Sequence, residues 1–516
     1  MAGTLDRRTM IKLAGGSTAA MLAGTAPKVV VGQDTVPAGG ELVIGKGQEA
    51  VGLDPALETA ASSHDLIAAT YERLVDYGES GEPQPQLAVS WEIPDDLTYI
   101  FSLRPDVTFH NGQPMTSEDV KYTFDRITDE AMASPWATQF APLEAVEATD
   151  ELTVTFRLSE PYGPLLATLA AVYASIVPAD ESIDLQTEMV GTGPFMLESW
   201  EQDFETVMSA YGGYWEPDEP QVETLRWRIL PDESARLAAV RTGEIHITEL
   251  ADPLVVESAT QSENVRVVEQ ETTDYYLLGF NTAVPPFDDP KVRRALSMAI
   301  DRQAIVDAVF FGRGQVTGPI VPTLGDWAQP IEQLPTYEVD REQARQLLEE
   351  AGHSDLSFSI MAGALYKEFV NIALVIQDQL SEIGVTVELD QVEWGTFIER
   401  WRERDFQSFV SFNGSGNDPD RALYPAFVTD GSVNAFQFSD EEIDRMLESA
   451  RTTTDPEARK SIYQNIEVAL AEEAPAIFIA TRVALFAVRE AVRGFQPTPV
   501  DEWATLGQTT VGTIEE

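Results

Sequence analysis

The 516-residue sequence contains no cysteine. Without thiols the chain has no disulfide bond, no thiolate metal site and no cysteine nucleophile. A lipid anchor on an N-terminal cysteine is excluded for the same reason, so we predict that the protein is not a lipoprotein. The missing thiols restrict the kinds of site but leave the redox compartment open.

Basic residues are scarce, with 34 Lys and Arg against 86 Asp and Glu, and the formal net charge is −52 at pH 7. Such a chain repels nucleic acid, which excludes it as a partner. The repulsion within the protein is screened only at high ionic strength, because the Debye length falls to about 3 Å in molar salt. The seven lysines are Lys12, Lys28, Lys46, Lys121, Lys291, Lys367 and Lys460. This acid-rich, lysine-poor composition resembles proteins of extreme halophiles, the alternative being an acidic protein of a mesophile.

Long apolar runs are also missing, since no stretch reaches 18 consecutive apolar residues and no membrane span is predicted. Arg7 and Arg8 precede a weakly apolar stretch of small residues, which resembles a twin-arginine export signal. A cytoplasmic amphipathic helix would instead need polar residues at helical spacing between Leu13 and Leu22. We therefore predict a signal segment at 1–33 and a protein that works outside the cytoplasm.

The remaining chain has mixed α/β patterning. The stretch LTYIFSLRPDVTFHNGQP alternates apolar and polar residues and predicts a strand that is followed by a turn at Asn111-Gly112. Thr116 and Asp119 have the spacing of a capping box at a helix start. His110, beside this turn, is interpreted as part of the scaffold rather than a reaction site.

Two further segments have clear local signals. LRWRILPDESARLAAVRTGEIHI reads as a βαβ unit, with a turn at Pro231-Asp232 and a helix-ending glycine at Gly243. In GFNTAVPPFDDPKVRRALSMAIDR, Asp289 is expected to cap a helix that has Pro290 in its first position. A chain of this length exceeds a single core, so two or three lobes are expected.

Six segments, taken in order, resemble the family 5 extracytoplasmic solute-binding proteins of ABC importers, the peptide, nickel and oligosaccharide group. They are QLAVSWEIPDDLTYIFSLRPDVTFHNGQPMTSEDVKYTFDR, VGTGPFMLESW, LRWRILPDESARLAAVRTGEIHI, GFNTAVPPFDDPKVRRALSMAIDR, ARQLLEEAG and VELDQVEWGTFIERW. The likeness extends over about residues 40 to 500. Each segment is weak alone, but six in the family's order make a specific pattern.

This resemblance implies an α/β, two-lobed periplasmic-binding-protein-like fold (type II, cluster C) with an accessory subdomain and a two-strand hinge. Lobe I is expected at 38–70, 190–280 and 488–516, the accessory subdomain at 71–189 and lobe II at 281–487. A small solute would bind between the lobes, and closure would present it to a membrane permease driven by cytoplasmic ATPases. The ligand drives closure only by binding the closed state better than the open one.

The family resemblance leaves the solute open: a peptide, a peptide-like molecule or a sugar-like molecule. We expect a monomer without cofactor, metal or catalytic activity. A nickel-chelate or haem-binding member of the family is the alternative, because isolated histidines can ligate a chelated metal. An exported hydrolase is disfavoured by the absence of HExxH and GxSxG motifs, and a surface-layer protein by the absence of repeats. The four histidines, far apart in sequence, are His64, His110, His246 and His353.

The loop FNGSGNDPDRALYPAF provides most of the candidate ligand residues. They are Phe412, Asn413, Ser415, Asn417 and Asp418. In peptide-binding members of the family, an aspartate four residues before the matching proline anchors the ligand's α-ammonium group; here that position is Ser415. A serine has no charge to offset a buried ammonium ion, so free peptide N-termini are disfavoured unless Asp418, alternatively a turn residue, takes over.

Further candidates are chosen by residue type and by place in the family pattern. Ser62, Ser63 and His64 are expected in the first loop after LVIGKGQEAVGLDP, where family members line the cleft. Trp394 either stacks on the ligand or belongs to the core. The only cation near the expected carboxylate subsite is Lys367, alternatively a solvated residue at a helix start. Residues 191–193, the GTG of the VGTGPF stretch, are interpreted as a structural turn near the hinge.

Overall fold

The computed structural model describes residues 39–78, 81–414 and 416–512. The predicted signal segment 1–33 and the candidate Ser415 lie outside these residues. The strands are β1 (Glu41–Lys46), β2 (Val75–Tyr77), β3 (Pro83–Pro85), β4 (Ala88–Asp95), β5 (Thr98–Leu103), β6 (Leu143–Asp150), β7 (Thr153–Leu158), β8 (Phe195–Glu201), β9 (Glu205–Ala210), β10 (Thr224–Ile229), β11 (Ile247–Leu250), β12 (Val265–Phe280), β13 (Ser357–Gly363), β14 (Thr386–Val392), β15 (Ser408–Gly414), β16 (Ala476–Arg489), β17 (Val492–Arg493) and β18 (Thr510–Val511). The α-helices are α1 (Ala61–Thr70), α2 (Ser117–Thr128), α3 (Leu165–Leu169), α4 (Glu233–Thr242), α5 (Pro253–Thr260), α6 (Pro290–Ala299), α7 (Arg302–Val309), α8 (Arg341–Glu350), α9 (Lys367–Ser381), α10 (Trp394–Glu403), α11 (Pro419–Phe427), α12 (Glu441–Thr452) and α13 (Pro456–Glu473).

Several helices begin at the capping residues that the sequence predicts. At α2 the backbone N–H of Thr116 donates to Oδ2 of Asp119 over 2.7 Å, which is one half of the capping box. At α6 the side chain of Asp289 accepts from the N–H of Lys291 over 2.8 Å, and Pro290 occupies the first position. Both predicted helix starts are confirmed, since each satisfies backbone donors that the helix itself leaves unpaired.

The predicted βαβ unit is also present, as β10, α4 and β11. Asp232 caps α4 by accepting from the N–H of Ala235 over 2.7 Å, and the helix ends at Gly243 with φ of 82°. Strand β1 lies between β10 and β11 and is parallel to both. Strand β1 therefore joins the two strands of this unit in one parallel part of the sheet.

One ten-stranded sheet runs through the molecule in the order β14-β13-β15-β12-β16-β11-β1-β10-β9-β8. Strands β12 and β16 are antiparallel partners over most of their length. Beyond them, β12 pairs with β15 on one side, and β16 pairs with β11 on the other. We call the half with β1 and β8–β11 lobe I and the half with β13–β15 lobe II. The two-lobed α/β fold with two crossing strands is therefore confirmed, and the crossing pair has a register shift between Glu271 and Tyr275.

Apolar side chains are segregated into separate cores. One cluster in lobe I joins Leu42 and Ile44 of β1 to Trp227 and Trp503. Lobe II has two clusters, one of which packs α6, α7 and α9 on its part of the sheet. A further cluster lies between α2 and a separate antiparallel sheet of order β4-β5-β7-β6. Among the described helices, none is long and apolar enough to cross a membrane.

Candidate functional site

Lobe II contacts both lobe I and the part of the chain that carries the separate sheet β4-β5-β7-β6, which we call the accessory subdomain. The N–H of Gly163 donates to the carbonyl oxygen of Arg451 over 2.8 Å, and the hydroxyl of Thr454 donates to Asp96 over 2.7 Å. Elsewhere the ammonium group of Lys367 in lobe II lies 2.9 Å from the carboxylate of Asp252 in lobe I. These contacts hold the lobes together in this structure.

Where the loop before α11 meets the accessory subdomain, only a small space remains, with a volume of about 20 Å³. It is lined by Tyr77, Gln139, Tyr162, Pro164, Ala167, Thr168, Ala171, Tyr173, Asn417, Asp418, Asp420 and Arg421. Sites for small organic ligands usually measure at least about 300 Å³. A peptide-sized ligand therefore enters only when the lobes move apart about the crossing strands.

Charged groups cluster where β16 passes between the lobes. The guanidinium of Arg482 lies 2.6 Å from the carboxylate of Glu249, 2.9 Å from that of Glu502 and 3.6 Å from that of Asp274. Burial and the neighbouring Glu249 raise the pKa of Glu502 to about 7, although Arg482 acts in the opposite direction. Three carboxylates thus surround one guanidinium, and we call this group the Arg482 cluster.

Aromatic side chains of lobe II stand beside the Arg482 cluster. The ring of Tyr366 lies 4.9 Å from that of Trp394 and 5.9 Å from that of Phe412, measured between centroids. Trp394 is half-buried and stacks on Phe397 at 5.1 Å, so it is held by the core. Phe412 remains 40% exposed at the end of β15. The two predicted aromatic ligand residues therefore belong to one surface, but only Phe412 has a substantially free face.

Asn413 and Asn417 differ in how their amides are used. The Nδ2 of Asn413 donates to the hydroxyl of Tyr275 over 3.4 Å, and its Oδ1 accepts from the N–H of Gly414. The Nδ2 of Asn417 is enclosed and has no hydrogen-bond acceptor in the described structure. Both amides stay predicted ligand contacts. A ligand oxygen would satisfy the buried Nδ2 of Asn417, whereas the Nδ2 of Asn413 already has an acceptor.

Asp418 has partners within the protein on both carboxylate oxygens. Oδ1 accepts from Arg459 over 2.7 Å and from the N–H of Asp420 over 2.9 Å, and Oδ2 accepts from Arg459 as well. Only 7% of the residue is exposed. The hypothesis that Asp418 replaces the missing ammonium anchor loses its basis, because this carboxylate caps α11 and neutralises a buried arginine.

The prediction of a loop at Ser62, Ser63 and His64 is wrong, since these residues form the first turn of α1. The hydroxyl of Ser63 is fully buried and accepts from the N–H groups of Val51 and Gly52. Ser63 therefore fixes the preceding loop and is removed from the candidate ligand residues. No side chain caps this helix at Ala60, so the local sequence carried no start signal.

Ser62 and His64 remain predicted ligand residues, although each has a protein partner. The hydroxyl of Ser62 donates to the carbonyl oxygen of Glu49 over 2.8 Å. Nε2 of His64 lies 3.0 Å from the carbonyl oxygen of Glu58. Burial lowers the pKa of His64, which favours the neutral imidazole at the edge of the cleft.

The turn at 191–193 and His110 form one structural contact. Nε2 of His110 lies 2.9 Å from the carbonyl oxygen of Gly193, and the N–H of Gly193 donates to the carbonyl oxygen of Thr70. A Cβ atom on Gly191 would lie 2.0 Å from that same oxygen of Thr70. Burial lowers the pKa of His110 to about 4. This packing supports the interpretation of both features as scaffold.

Two arginines were missed by sequence reasoning. Arg482 lies in a strand whose pattern indicates only burial, and its three acids come from distant parts of the chain. Arg421 lies within the stretch FNGSGNDPDRALYPAF from which the ligand residues were chosen, but a single arginine in a helix start carries no signal of its own. Lys367, the predicted cation for a ligand carboxylate, is instead paired with Asp252.

Comparisons with known proteins agree with this architecture. A family model described as "Bacterial extracellular solute-binding proteins, family 5 Middle" matches residues 82–434. The "Dipeptide-binding protein" of Escherichia coli (strain K12) is 28% identical over 495 residues, which cover 87% of this chain and 90% of that protein. "Heme-binding protein A" of Haemophilus influenzae is 29% identical over 500 residues, which cover 90% of this chain and 91% of that protein. The chain is also similar to the solved structure of the ABC transporter-associated periplasmic binding protein DppA from Helicobacter pylori in complex with peptide STSA. That comparison has a TM-score of 0.80 and 26% identity, and it covers 92% of this chain and 99% of the other.

The chain belongs to the family 5 extracellular solute-binding proteins. It is the substrate-binding component of an ABC importer and not an enzyme, as the family's role in transport defines. The cleft between lobes I and II is accordingly its ligand site.

Proposed function

We propose that this protein captures a short peptide or a peptide-like solute outside the cytoplasm and delivers it to an ABC permease driven by cytoplasmic ATPases. The observation that carries the proposal is the cleft itself, which has a charged floor at the Arg482 cluster and an aromatic wall at Phe412. A peptide has charged ends, polar backbone groups and apolar side chains, and this cleft offers a partner for each. Relatives that bind dipeptides and the peptide STSA support the same class of ligand.

The proposed ligand contacts follow from the groups that face the cleft. Phe412 packs on ligand side chains, with Trp394 behind it, and the amides of Asn413 and Asn417 bond to peptide groups. Ser415, Ser62 and His64 complete the proposed set. A dissociation constant near 1 μM corresponds to about 8 kcal/mol, which a handful of such contacts provides after the cost of association.

We further propose the domain boundaries 38–70, 190–280 and 488–516 for lobe I, 71–189 for the accessory subdomain and 281–487 for lobe II. Strands β12 and β16 support limits of lobe II near these positions, because each passes between the halves of the sheet. Strand β12 begins to pair with β15 at Asp274, and β16 pairs with β11 from Leu485 onward. The separate sheet β4-β5-β7-β6 supports an accessory subdomain. The proposal includes a monomer, since one chain supplies both walls of the cleft.

The proposed route outside the cytoplasm is twin-arginine export by the segment 1–33. This pathway carries folded proteins, which suits a chain whose acidic surface favours folding in concentrated salt. The charge of −52 and the seven lysines support a salt-rich cell as the proposed setting.

A haem or nickel-chelate ligand is the second candidate, because "Heme-binding protein A" is among the relatives. Three of the four histidines do not favour this candidate, because a ring nitrogen of each already has a partner in the protein. His64 and His110 each have one ring nitrogen against a backbone carbonyl oxygen, and Nδ1 of His246 accepts from the N–H of Val43 over 2.9 Å.

The proposed function is tested on protein purified in high salt. Mass spectrometry of small molecules released by denaturation identifies bound cargo, and calorimetry with Ala-Ala, Ala-Ala-Ala, haem and nickel-histidine compares the ligand classes. We expect released peptides or peptide-like molecules, binding of at least one alanine peptide, and about tenfold weaker binding in Phe412→Ala. Phe204→Ala is the matched control, because Phe204 is similarly exposed but lies in the β8–β9 turn at the far edge of the sheet. Tight binding of haem or nickel-histidine without any peptide would replace this proposal by the second candidate.

A further inference from the structure

Among the residues that the structure describes, Arg421 has no hydrogen-bond or ion-pair partner, whereas almost every other arginine has one. Among the described residues, every arginine except Arg402, Arg404 and Arg421 contacts a carboxylate, a carbonyl oxygen or a hydroxyl of the protein. Arg402 and Arg404 lie at the exposed C-terminal end of α10, where water solvates them. Arg421 differs from these two because it lies at the start of α11, in the cleft.

The side chain of Arg421 passes close to Gly416 of its own loop. Gly416 has φ of 56°, and a Cβ atom there would lie 3.0 Å from Nη1 of Arg421. The missing side chain therefore leaves room for the guanidinium over the loop backbone. Arg421 lines the space between the lobes together with Asn417, opposite Tyr77 and Tyr173 of the accessory subdomain.

The positive charge of Arg421 affects the pKa of two groups on the opposite side of the cleft. Burial lowers the pKa of His64, and the positive charge of Arg421 acts in the same direction. Burial raises the pKa of Tyr173, and Arg421 opposes that rise. Both groups belong to the opposite side of the cleft, so a ligand between the lobes lies within this positive field.

Two acids close to Arg421 in sequence are already paired with other arginines. Asp418 is paired with Arg459, and Asp420 lies 3.4 Å from Arg451. Burial raises the pKa of Asp274, and the charges of Arg482 and Arg421 both oppose that rise. Asp274 is nevertheless part of the Arg482 cluster, 3.6 Å from Arg482. The start of α11 therefore presents a guanidinium without a direct ion-pair partner among the described residues, together with the unpaired Nδ2 of Asn417.

We propose that Arg421 and Asn417 bind a carboxylate of the ligand, which for a peptide is its free C-terminal carboxylate. The guanidinium has the planar pair of N–H donors that fits two carboxylate oxygens, and the amide of Asn417 supplies a further donor. This assignment rests on the proposed function for the identity of the ligand as a peptide. It also replaces Lys367, which is held by Asp252, as the cation for the ligand's acidic end.

Calorimetry in molar KCl tests the assignment with Ala-Ala-Ala, its C-terminal amide and its N-acetyl form. For the wild type we expect amidation to weaken binding about 10- to 100-fold, the range for a charged hydrogen-bonded pair. In Arg421→Gln the acid should bind weakly, and amidation should change its affinity less than threefold. Arg421→Lys should retain part of the preference for the acid. Arg402→Gln is the matched control, because it removes an equally unpartnered arginine outside the cleft and should preserve the wild-type preference.

An equal effect of amidation in wild type and Arg421→Gln would overturn the carboxylate site while leaving peptide binding intact. If no alanine peptide binds to the wild type, the peptide class fails, and the site is then judged from thermal unfolding with succinate, glutarate and citrate. Stabilisation of the wild type and of Arg402→Gln, but not of Arg421→Gln, by any of these carboxylates would support the site. Lack of any such difference would overturn it.

Discussion

The carboxylate of Asp418 and the guanidinium of Arg459 form a bidentate ion pair, with 2.7 Å between Oδ1 and Nη2. The pair joins the start of α11 to α13 and is almost fully buried, with 7% of Asp418 and 4% of Arg459 exposed. Arg459 also donates to the carbonyl oxygen of Ala450 over 3.0 Å. The loop that carries the candidate ligand residues is thus fixed by a charge pair in the interior of lobe II.

Removing one partner of this pair should be strongly destabilising, because the other charge is left buried and unpaired. We expect Arg459→Met to lower the free energy of unfolding by about 3–5 kcal/mol, and Asp418→Asn with Arg459→Met to recover part of the loss. Chemical unfolding at constant molar salt measures both. The control is Arg157→Met, which breaks a half-exposed pair with Glu147 and should cost far less. Equal stabilities of the Arg459 and Arg157 variants would contradict the buried role.

Close packing at Gly191 leads to a second prediction. Since a Cβ atom there would lie 2.0 Å from the carbonyl oxygen of Thr70, Gly191→Ala forces the backbone apart. We expect a loss of about 2–4 kcal/mol, read from thermal unfolding. Gly212→Ala serves for comparison, because no atom of the described residues beyond its two chain neighbours lies within 4 Å of its Cβ position. Wild-type stability of Gly191→Ala would show that the 191–193 turn is not packed as described.

The pH dependence of stability should contain a contribution from Glu467, a buried carboxyl that accepts from the N–H groups of Ile320 and Gln329. Burial raises its pKa to about 8. The folded state therefore binds this proton more tightly than the unfolded state, whose glutamate pKa is about 4.3. The resulting stabilisation is complete below about pH 4 and is lost as the pH rises through 8, with a size of roughly 3–5 kcal/mol.

Denaturant titrations between pH 5 and pH 9 measure this contribution. The wild type should lose stability over that interval more steeply than Glu467→Gln, which has no proton to release at this position. Glu332→Gln, at an exposed glutamate, should follow the wild type. Parallel curves for wild type and Glu467→Gln would mean that Glu467 is ionised at low pH in the folded protein.

Salt dependence follows from the charge of −52. Lowering KCl from molar concentration to about 0.1 M lengthens the Debye length from about 3 Å to about 10 Å, and repulsion among the carboxylates increases. We expect the melting temperature to drop sharply or the protein to unfold. A melting temperature that does not change over this range would remove the support for a salt-rich setting.

Export should depend on Arg7 and Arg8, which lie outside the described residues. Replacing both with lysine keeps the charge but removes the pair of guanidinium groups that defines the signals this segment resembles. We expect full-length precursor in the cytoplasm, detected by immunoblotting of cell fractions. Lys28→Arg, a conservative change in the same segment, should be exported normally. Undiminished export of the double variant would show that the segment is not a twin-arginine signal.

Local signals predicted much of the fold. The capping box of Thr116 and Asp119, the cap at Asp289 and the C-terminal Gly243 each act within a few residues, so the sequence alone reveals them. The first turn of α1 was misread as a loop, because Ala60 offers no capping side chain. Its helix forms because Leu66 and Ile67 pack into the core of lobe I, and such tertiary packing is not visible in the local pattern.

The site was less accessible to sequence reasoning. Phe412 and Asn417 could be selected from a loop of unusual composition, but the pairing of Asp418 with Arg459 joins residues 41 positions apart. The Arg482 cluster joins β11, β12, β16 and the segment at 502. Whether a charged side chain is free or neutralised depends on these distant partners, which is why Arg421 was overlooked and Asp418 was considered as an anchor.

The core of lobe I brings together residues that are far apart in the order of synthesis. Leu42 and Ile44 of β1 share a cluster with Phe495 and Trp503, and Trp227 lies 5.1 Å from Trp503 between ring centroids. The emerging chain therefore exposes the apolar faces of β1 and β10 until the segment near 503 leaves the ribosome. Lobe I therefore completes its core only after the segment near 503 has emerged, and chaperones have a defined apolar surface to cover in the interval.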